Sequence, residues 1–410
     1  MKIVLLVEVF SPQMGYLENI LPRYLSRLGA DVHIVTTELQ PYYYIRDVKK
    51  SYEDFNGDSQ ALKPGTIERL DGFTLHVLEH RKTLGYVRMS GLKDKLREIR
   101  PDIVQTEAAI GWLPLDAAIF KLQLGYKLFT GSHYHASVFP LANRQHHLWD
   151  PERLRVIMSR SLPGRVISYV ATKCYPTSDD CADVAIRFFG VQKSKIEICP
   201  LGVDLDIFHP IQNEADARER RELRAQLGVA DHEIVCIYTG RFSQAKNPLL
   251  LANAIDQLAA KGEPYRGLFV GNGAQGDAIR QQRNCCVHPF VNFRELPRFF
   301  RAADIGVWPT QESMSMLDAT ACGLPIIVND TLNARERIEG NGLSYRLNDC
   351  EDLIRALVSL RAPERRHELG QCGAEKMRRQ FGWDSIARFR LRGYEAALNH
   401  KTPKRELSGI

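Results

Sequence analysis

Val307 to Val328, VWPTQESMSMLDATACGLPIIV, is the stretch whose reading decides the fold. The apolar run Ile305–Trp308 reads as a buried strand, Thr310–Ser315 as a polar turn and Met316–Cys322 as a short helix of small residues. Gly323-Leu324-Pro325 then leads into a second strand, Ile326–Val328. Two strands joined by one helix make a βαβ unit, which implies a parallel sheet. Ser315 and Asp318 have the spacing of a capping box, predicting backbone N–H groups of residues 314–318 that point out of the helix start, ready for an anion. Glu312 and Asp318 fall near the same opening, where carboxylates accept hydrogen bonds from sugar hydroxyls. The alternative is that Asp318 only caps the helix and Glu312 is a solvated turn residue.

Outward from this unit, 410 residues suit two domains of ordinary size, and 44% hydrophobic with 25% charged residues is a globular composition. The opening apolar run is broken by Glu8, too early for a signal-peptide core, and no apolar stretch approaches the length of a membrane span, so a cytosolic chain is expected. The nine cysteines are scattered, with no C-x-x-C pair, and read as reduced. A net charge of +6 fits an anionic ligand or membrane surface without requiring either.

Lys2–Phe10 is a near-continuous apolar strand, followed by the turn Ser11–Tyr16, an amphipathic helix from Leu17 to Leu28 and a strand over 31–36. This is a mononucleotide-binding unit in outline, and it places Gly15 where backbone can approach a ligand, although any tight turn uses glycine too. Residues 41–60 read as a long loop. Strands are expected at 74–78, 103–105, 127–130, 166–175 and 196–199, and helices at 92–100, 113–124 and 178–189. The strand at 127–130 ends in Gly131-Ser132-His133-Tyr134-His135, where His133 is preferred over His135 as an imidazole for a substrate hydroxyl; a structural hydrogen-bonding role is the alternative. Residues 144–165 are basic and amphipathic, which fits either a solvated helical face or a membrane or acidic partner. The charge run 218–227 is interspersed with Glu219 and Glu222 and lacks aromatics, arguing against nucleic acid.

After a polar, proline-containing linker at 206–217 the pattern restarts: strand 233–238, turn 239–248, helix 249–260, and strand 267–270 ending in Gly271-Asn272-Gly273. The chain therefore reads as α/β, two doubly wound parallel-sheet domains in tandem, residues 1–205 and 206–382. Arg241 and Lys246 leave one strand-to-helix turn without an acidic residue three or four positions away, suiting them to clamp a diphosphate. A helix at 334–339 and an amphipathic helix at 383–398 follow, then a polar tail, 399–410.

In this order and spacing, GRFSQAKNP, VGNG, ADIGVWPT, the Glu312 turn and ATACGLPIIVND resemble the retaining, GT-B-fold glycosyltransferases of family 4 (glycosyl transferases group 1). The Phe10–Tyr16 turn, PDIVQTE, GSHYH and CPLGVDLDIFHP agree more loosely. The resemblance implies two Rossmann-like domains facing across a cleft, the nucleotide sugar on the carboxyl-terminal domain, the acceptor on the amino-terminal one, and helix 383–398 returning to the first domain. It implies catalytic roles for Arg241, Lys246, Glu312 and His133. It implies a donor site formed by Gly15, Gly240, Asn272, Gly273, Ser313, Met314, Ser315, Met316 and Asp318, with Asp318 on the ribose. The family has two glutamates eight positions apart; here Glu312 and Asp318 are six apart, so either Thr310 takes the first position or the turn is shortened by two residues, and the shortened turn is preferred because Thr310 supplies no carboxylate.

The expected reaction moves a sugar from a nucleotide-diphosphate sugar to an acceptor hydroxyl of a glycan, glycolipid or small molecule, with retention and with a donor phosphate oxygen taking the proton. No cofactor or metal is expected, Asp179-Asp180 being a helix-start pair, and no nucleic-acid partner. Peripheral membrane contact through the amino-terminal domain fits the basic segment. The alternatives are a nucleotide-sugar epimerase and a non-catalytic nucleotide-sugar-binding subunit on the same fold.

Overall fold

The computed structural model describes residues 1–12, 15–39, 62–83, 86–136, 139–143, 150–310, 312–332 and 335–399. The loop expected at 41–60, the first part of the basic segment at 144–149 and the tail beyond 399 lie outside them.

The first sheet is built from β1 (Lys2–Leu6), β2 (Asp31–Thr37), β3 (Ile67–Leu70), β4 (Phe73–Leu78), β7 (Ile103–Thr106), β8 (Lys127–Ser132) and β9 (Lys173–Pro176), in the order β3-β4-β2-β1-β7-β8-β9. All neighbours run parallel except β3, which pairs antiparallel with β4 at the edge. A separate antiparallel hairpin joins β5 (His80–Thr83) to β6 (Tyr86–Met89). β1 is central, and Ile3, Val4, Leu5 and Leu6 are all buried, as a strand covered on both faces requires. The second sheet contains β10 (Ile234–Thr239), β11 (Tyr265–Val270), β12 (Cys285–His288), β13 (Ile305–Trp308), β14 (Ile326–Asn329) and β15 (Gly342–Tyr345), in the all-parallel order β12-β11-β10-β13-β14-β15. The strand order reverses at β1/β7 in one sheet and at β10/β13 in the other, and a crevice opens at the carboxyl ends of strands at such points.

The chain crosses between the domains twice, and the crossings are tied together: Val203 N–H donates to the Phe381 carbonyl (2.7 Å), and Trp383 N–H to the Val203 carbonyl (3.2 Å). The last helix, Trp383–Asn399, then packs Trp383, Ile386, Ala387 and Tyr394 into the first domain's core beside Ile3, Phe129 and Tyr175. Burying aromatics of this size stabilises the docked helix by up to about 4–6 kcal/mol each. The first domain also holds the crossing segment where Tyr24 Oη donates to Asp204 (2.7 Å) and Arg27 pairs with Asp206 (2.7 Å), and it meets the second domain where the Phe293 ring, edge-on to Phe208, fills the space beside Gly15.

Several expectations change. Residues 166–170, read as strand from Val166, Ile167 and Val170, belong to a helix, Leu162–Val170, because Gly164, Ile167 and Ser168 face inward at helical spacing; the strand begins only at Lys173. The helix continues a shorter one, Pro151–Val156, through a π-turn at Ile157–Ser161. Residues 196–199 contribute a single bridge, Ile196 to Cys174, and the helix expected at 334–339 is one 3₁₀ turn, Arg335–Arg337. The short, charged β3 and β5 carry no apolar alternation that would have revealed them, and the alternation of β6, Val87 and Met89 inward, spans only four residues.

Candidate functional site

On the carboxyl-terminal side, two glycine turns lock into one another at the ends of β10 and β11. A Cβ on Gly271 would fall 1.9 Å from the Gly240 carbonyl oxygen, and one on Gly273 2.7 Å from that of Phe242. Both glycines also hold positive φ, +151° and +147°. Phe242 N–H donates to the Asn272 carbonyl (2.8 Å). Gly240, Asn272 and Gly273, expected to approach a ligand, thus approach each other's turns, and this packing fixes the loop that carries Arg241 and Lys246.

Lys246 reaches across to the turn after β13, where its Nζ donates to the Glu312 carbonyl oxygen (2.8 Å). Burial, reinforced by Arg241 and opposed by Glu312, pushes the ammonium down to about 8. Among the described residues the Arg241 guanidinium forms no salt bridge, and the structure brings Arg241, Lys246 and Glu312 to one end of the sheet, at its switch point.

The opening stretch folds as a βαβ unit, with its helix at Ser315–Ala321 and β13 parallel to β14. The capping box does not form. Met314 occupies the cap position, no side chain caps the helix, and Ser315 Oγ lies 2.7 Å from Ser313 Oγ instead. Asp318 sits a turn inside, only 7% exposed, with its carboxyl held well above the usual range by burial and by the charge of Asp204. The Met316 side chain is fully buried in the second core, its sulfur accepting the Ser313 N–H (3.4 Å). Met314, two residues earlier at the cap position, lines the cleft.

Facing this is the amino-terminal switch point. A cavity of about 450 Å³ lies between the domains, walled by Tyr16, Glu18, Glu107, His133, Met314 and Trp383. Gly15 is on its rim, but a Cβ there would fall 2.1 Å from the Phe293 ring, so the close approach that its lack of a side chain permits is to the other domain. His133 lies in the cavity wall. Burial, with Arg390 and His135 nearby, pushes it down to about 4, leaving a neutral imidazole. His135 is oriented differently, with Nδ1 3.2 Å from Asp180. Burial alone would lower it, but hydrogen bonding and charge from Cys181, with Glu312 beyond, hold it above its ordinary value.

Two site residues escaped sequence reasoning. Glu18, in the first turn of the helix after β1, and Glu107, immediately after β7, both line the cavity at the switch point. Burial raises both, to about 7 for Glu18, and the charges of Glu18 and Glu8 raise Glu107 further while Arg390 opposes. They lie 89 positions apart, so no local pattern links them; the only signal was an acid at a strand's carboxyl end.

Two family models match the chain: Glycosyltransferase Family 4 over residues 21–207 and Glycosyl transferases group 1 over residues 233–362. A D-inositol 3-phosphate glycosyltransferase of Xylanimonas cellulosilytica is 30% identical over 242 residues, 55% of this chain and 57% of that protein. Spore coat protein SA of Bacillus subtilis is 27% identical over 241 residues, 53% of this chain and 63% of that protein. The chain thus spans a little over half the length of the curated relatives it matches. Among solved structures, sucrose-phosphate synthase from Thermosynechococcus elongatus superposes with a TM-score of 0.70 at 18% identity, covering 98% of this chain and all of that one. Anabaena Alr3699/HepE in complex with UDP-glucose superposes with a TM-score of 0.67 at 15% identity, covering 97% and 100%. The chain has the GT-B fold, with residues 21–207 matching the Glycosyltransferase Family 4 model and residues 233–362 the Glycosyl transferases group 1 model.

Proposed function

We propose that this chain transfers a sugar from a nucleoside-diphosphate sugar to an acceptor hydroxyl, with retention of the anomeric configuration. The observation that carries the reading is the pair of switch points facing each other across one cleft, the second bearing Arg241, Lys246 and the Glu312 turn. Departure of a nucleoside diphosphate develops negative charge on its phosphates, and Arg241 and Lys246 are preorganised to offset it without a metal, losses of such groups costing about a hundredfold or more. A Lys246 ammonium desolvated by its site gains most when an anion arrives. Glu312 is assigned to the donor sugar and Asp318 to the ribose. Asp318 is nearly buried, so its role is as a hydrogen-bonding carboxyl at the wall of the site rather than as an exposed charge. Neutral His133 accepts or donates a hydrogen bond to a sugar hydroxyl. A donor phosphate oxygen takes the acceptor's proton in this reading.

Anabaena Alr3699/HepE, whose solved structures hold UDP, glucose or UDP-glucose, supports a nucleotide-sugar donor. The test is to offer the purified protein a panel of nucleotide sugars with simple acceptors, reading nucleotide release and the product's anomeric proton coupling by NMR. Transfer with retained configuration is expected. Failure to bind or turn over any nucleotide sugar overturns the reading, and an inverted product overturns its stereochemistry.

Contact with an anionic membrane belongs to the same proposal. Leu154, Met158, Leu162, Val166 and Tyr169 form an exposed apolar stripe along residues 151–170, flanked by exposed Arg155 and Arg165. No helix among the described residues is long and apolar enough to cross a membrane. Met158→Glu is expected to reduce co-sedimentation with phosphatidylglycerol vesicles; unchanged sedimentation removes the contact from the account.

A further inference from the structure

We propose that Thr310 is a positioning residue for the diphosphate clamp: its hydroxyl holds the turn that carries Lys246 and so sets the direction in which the ammonium is offered to the donor's phosphates. The inference rests on reading the cleft as a nucleotide-sugar site, and it adds a residue that acts on the donor through Lys246.

The turn after β10 is fixed at its ends and weakly held in its middle. Phe242 is fully buried at one end, locked by the glycine turns, and Pro248 is buried at the other, whereas Gln244 and Ala245 are exposed. The bonds inside the turn are local. Lys246 N–H (3.1 Å) and Asn247 N–H (2.8 Å) both donate to the Ser243 carbonyl, and Asn247 takes a left-handed φ of +47°. None of these bonds reaches the turn after β13, so they leave the direction of the Lys246 side chain open.

Two contacts do reach it, in opposite senses. Thr310 Oγ1 donates to the Ala245 carbonyl (2.5 Å), and Lys246 Nζ donates to the Glu312 carbonyl (2.8 Å). Neighbouring residues of one turn are thereby braced at two points of the other, which fixes orientation as well as separation; a single contact would leave a pivot.

The Thr310 end of the brace is itself held by buried side chains. Asn329, 1% exposed at the end of β14, donates its amide to the carbonyls of Pro309 (3.2 Å) and Thr310 (2.8 Å). Its Oδ1 accepts from the Thr331 N–H (3.0 Å) and hydroxyl (2.5 Å), and Tyr345 Oη at the end of β15 donates to the Pro309 carbonyl (2.7 Å). An amide committed at both its nitrogen and its oxygen has no freedom to turn, so the Thr310 hydroxyl is presented from a fixed backbone.

The bond from Thr310 adds little to the stability of the fold. Ala245 is exposed, and water can take the place of the hydroxyl at its carbonyl, so no buried group is orphaned when the bond is lost. Its consequence is geometric. Burial, with Arg241 beside it and Glu312 opposing, holds the Lys246 ammonium at about 8. A turn released from Thr310 lets that ammonium swing outward and rehydrate, which raises it toward its ordinary value and takes it away from the phosphates.

The test compares the full chain with Thr310→Val, which keeps the shape and removes the donor, Thr310→Ser, which restores the donor, and Lys246→Ala. Lysine 15Nζ NMR without nucleotide follows the Lys246 signal, identified by its loss in Lys246→Ala. It is expected to titrate at about 8 in the wild type, at a pH about 0.5 or more higher in Thr310→Val, and near the wild-type value in Thr310→Ser. Calorimetry with whichever of UDP, ADP and GDP the wild type binds most tightly is expected to show about threefold to tenfold weaker binding in Thr310→Val, with melting temperature within about 2 °C of wild type. Lys246→Ala and Lys246→Ala/Thr310→Val should agree within about twofold, because the hydroxyl acts only through the ammonium. A Lys246 titration unchanged in Thr310→Val, or an affinity loss as large in the Lys246→Ala background as in the wild type, overturns the proposal. Failure of the nucleotide-sugar reading looks different: no nucleotide binds, while the Lys246 titration still responds to Thr310→Val.

Discussion

Replacing Glu18 by Gln changes how stability responds to pH. Burial, partly offset by its own backbone amide and by Glu107, raises the Glu18 carboxyl from its ordinary 4.5 to about 7. At 1.36 kcal/mol per unit, that displacement is worth up to about 3 kcal/mol. The folded state favours the protonated form, so this contribution is fully present below pH 4.5 and is lost as pH rises through about 7. Gln keeps the size and hydrogen-bonding capacity of the side chain but cannot ionise. The variant should therefore melt close to the wild type at pH 5 and about 5–10 °C above it at pH 8, at about 2–4 °C per kcal/mol for a domain of this size. Melting curves of both proteins at pH 5, 6, 7 and 8, in one buffer system at constant ionic strength, measure it directly. A difference that stays constant across this range, or a variant less stable at pH 8, refutes the argument that the two carboxyls share a buried site.

Three further outcomes follow from the geometry. Gly271→Ala places a methyl 1.9 Å from the Gly240 carbonyl at φ +151°, so urea denaturation should show a loss of about 2–4 kcal/mol, or no folded protein. Tyr24→Phe removes the buried donor to Asp204 at the domain junction, and the same assay should register a loss of about 1–3 kcal/mol. Glu312→Gln keeps the carbonyl that receives Lys246, so nucleotide affinity should stay near wild type while sugar transfer falls by about a hundredfold or more; equal losses in both would move Glu312 out of the donor-sugar role.

The sheet architecture was legible because long apolar runs such as Lys2–Leu6, Ile234–Thr239 and Ile305–Trp308 repeat with glycine turns and amphipathic helices between them. What the residues hid was tertiary. VISYV at 166–170 has a strand's composition, yet it is helix because its inward positions pack at helical spacing. Ser315 and Asp318 have the spacing of a cap, yet the helix begins at Ser315 itself, leaving neither side chain in reach of the free N–H groups. Arg241, Lys246 and Glu312 could be singled out because each sits in a turn at a strand's carboxyl end, where a doubly wound sheet gathers its chemistry. Glu18 and Glu107 could not be paired from sequence, since β1 and β7 become neighbours only when the strand order reverses. Gly15 shows the reverse case: its lack of a side chain is needed, but for Phe293 from the other domain.

The central claim is that the cleft grips a nucleoside diphosphate through Arg241 and Lys246. Isothermal titration of UDP, ADP, GDP and their sugars into the wild-type protein and Lys246→Ala tests it most directly. The account predicts that at least one nucleotide binds the wild type and that the variant binds it about tenfold or more weakly, with a steeper salt dependence in the wild type. Binding to none of them, or equal affinity in the two proteins, contradicts it.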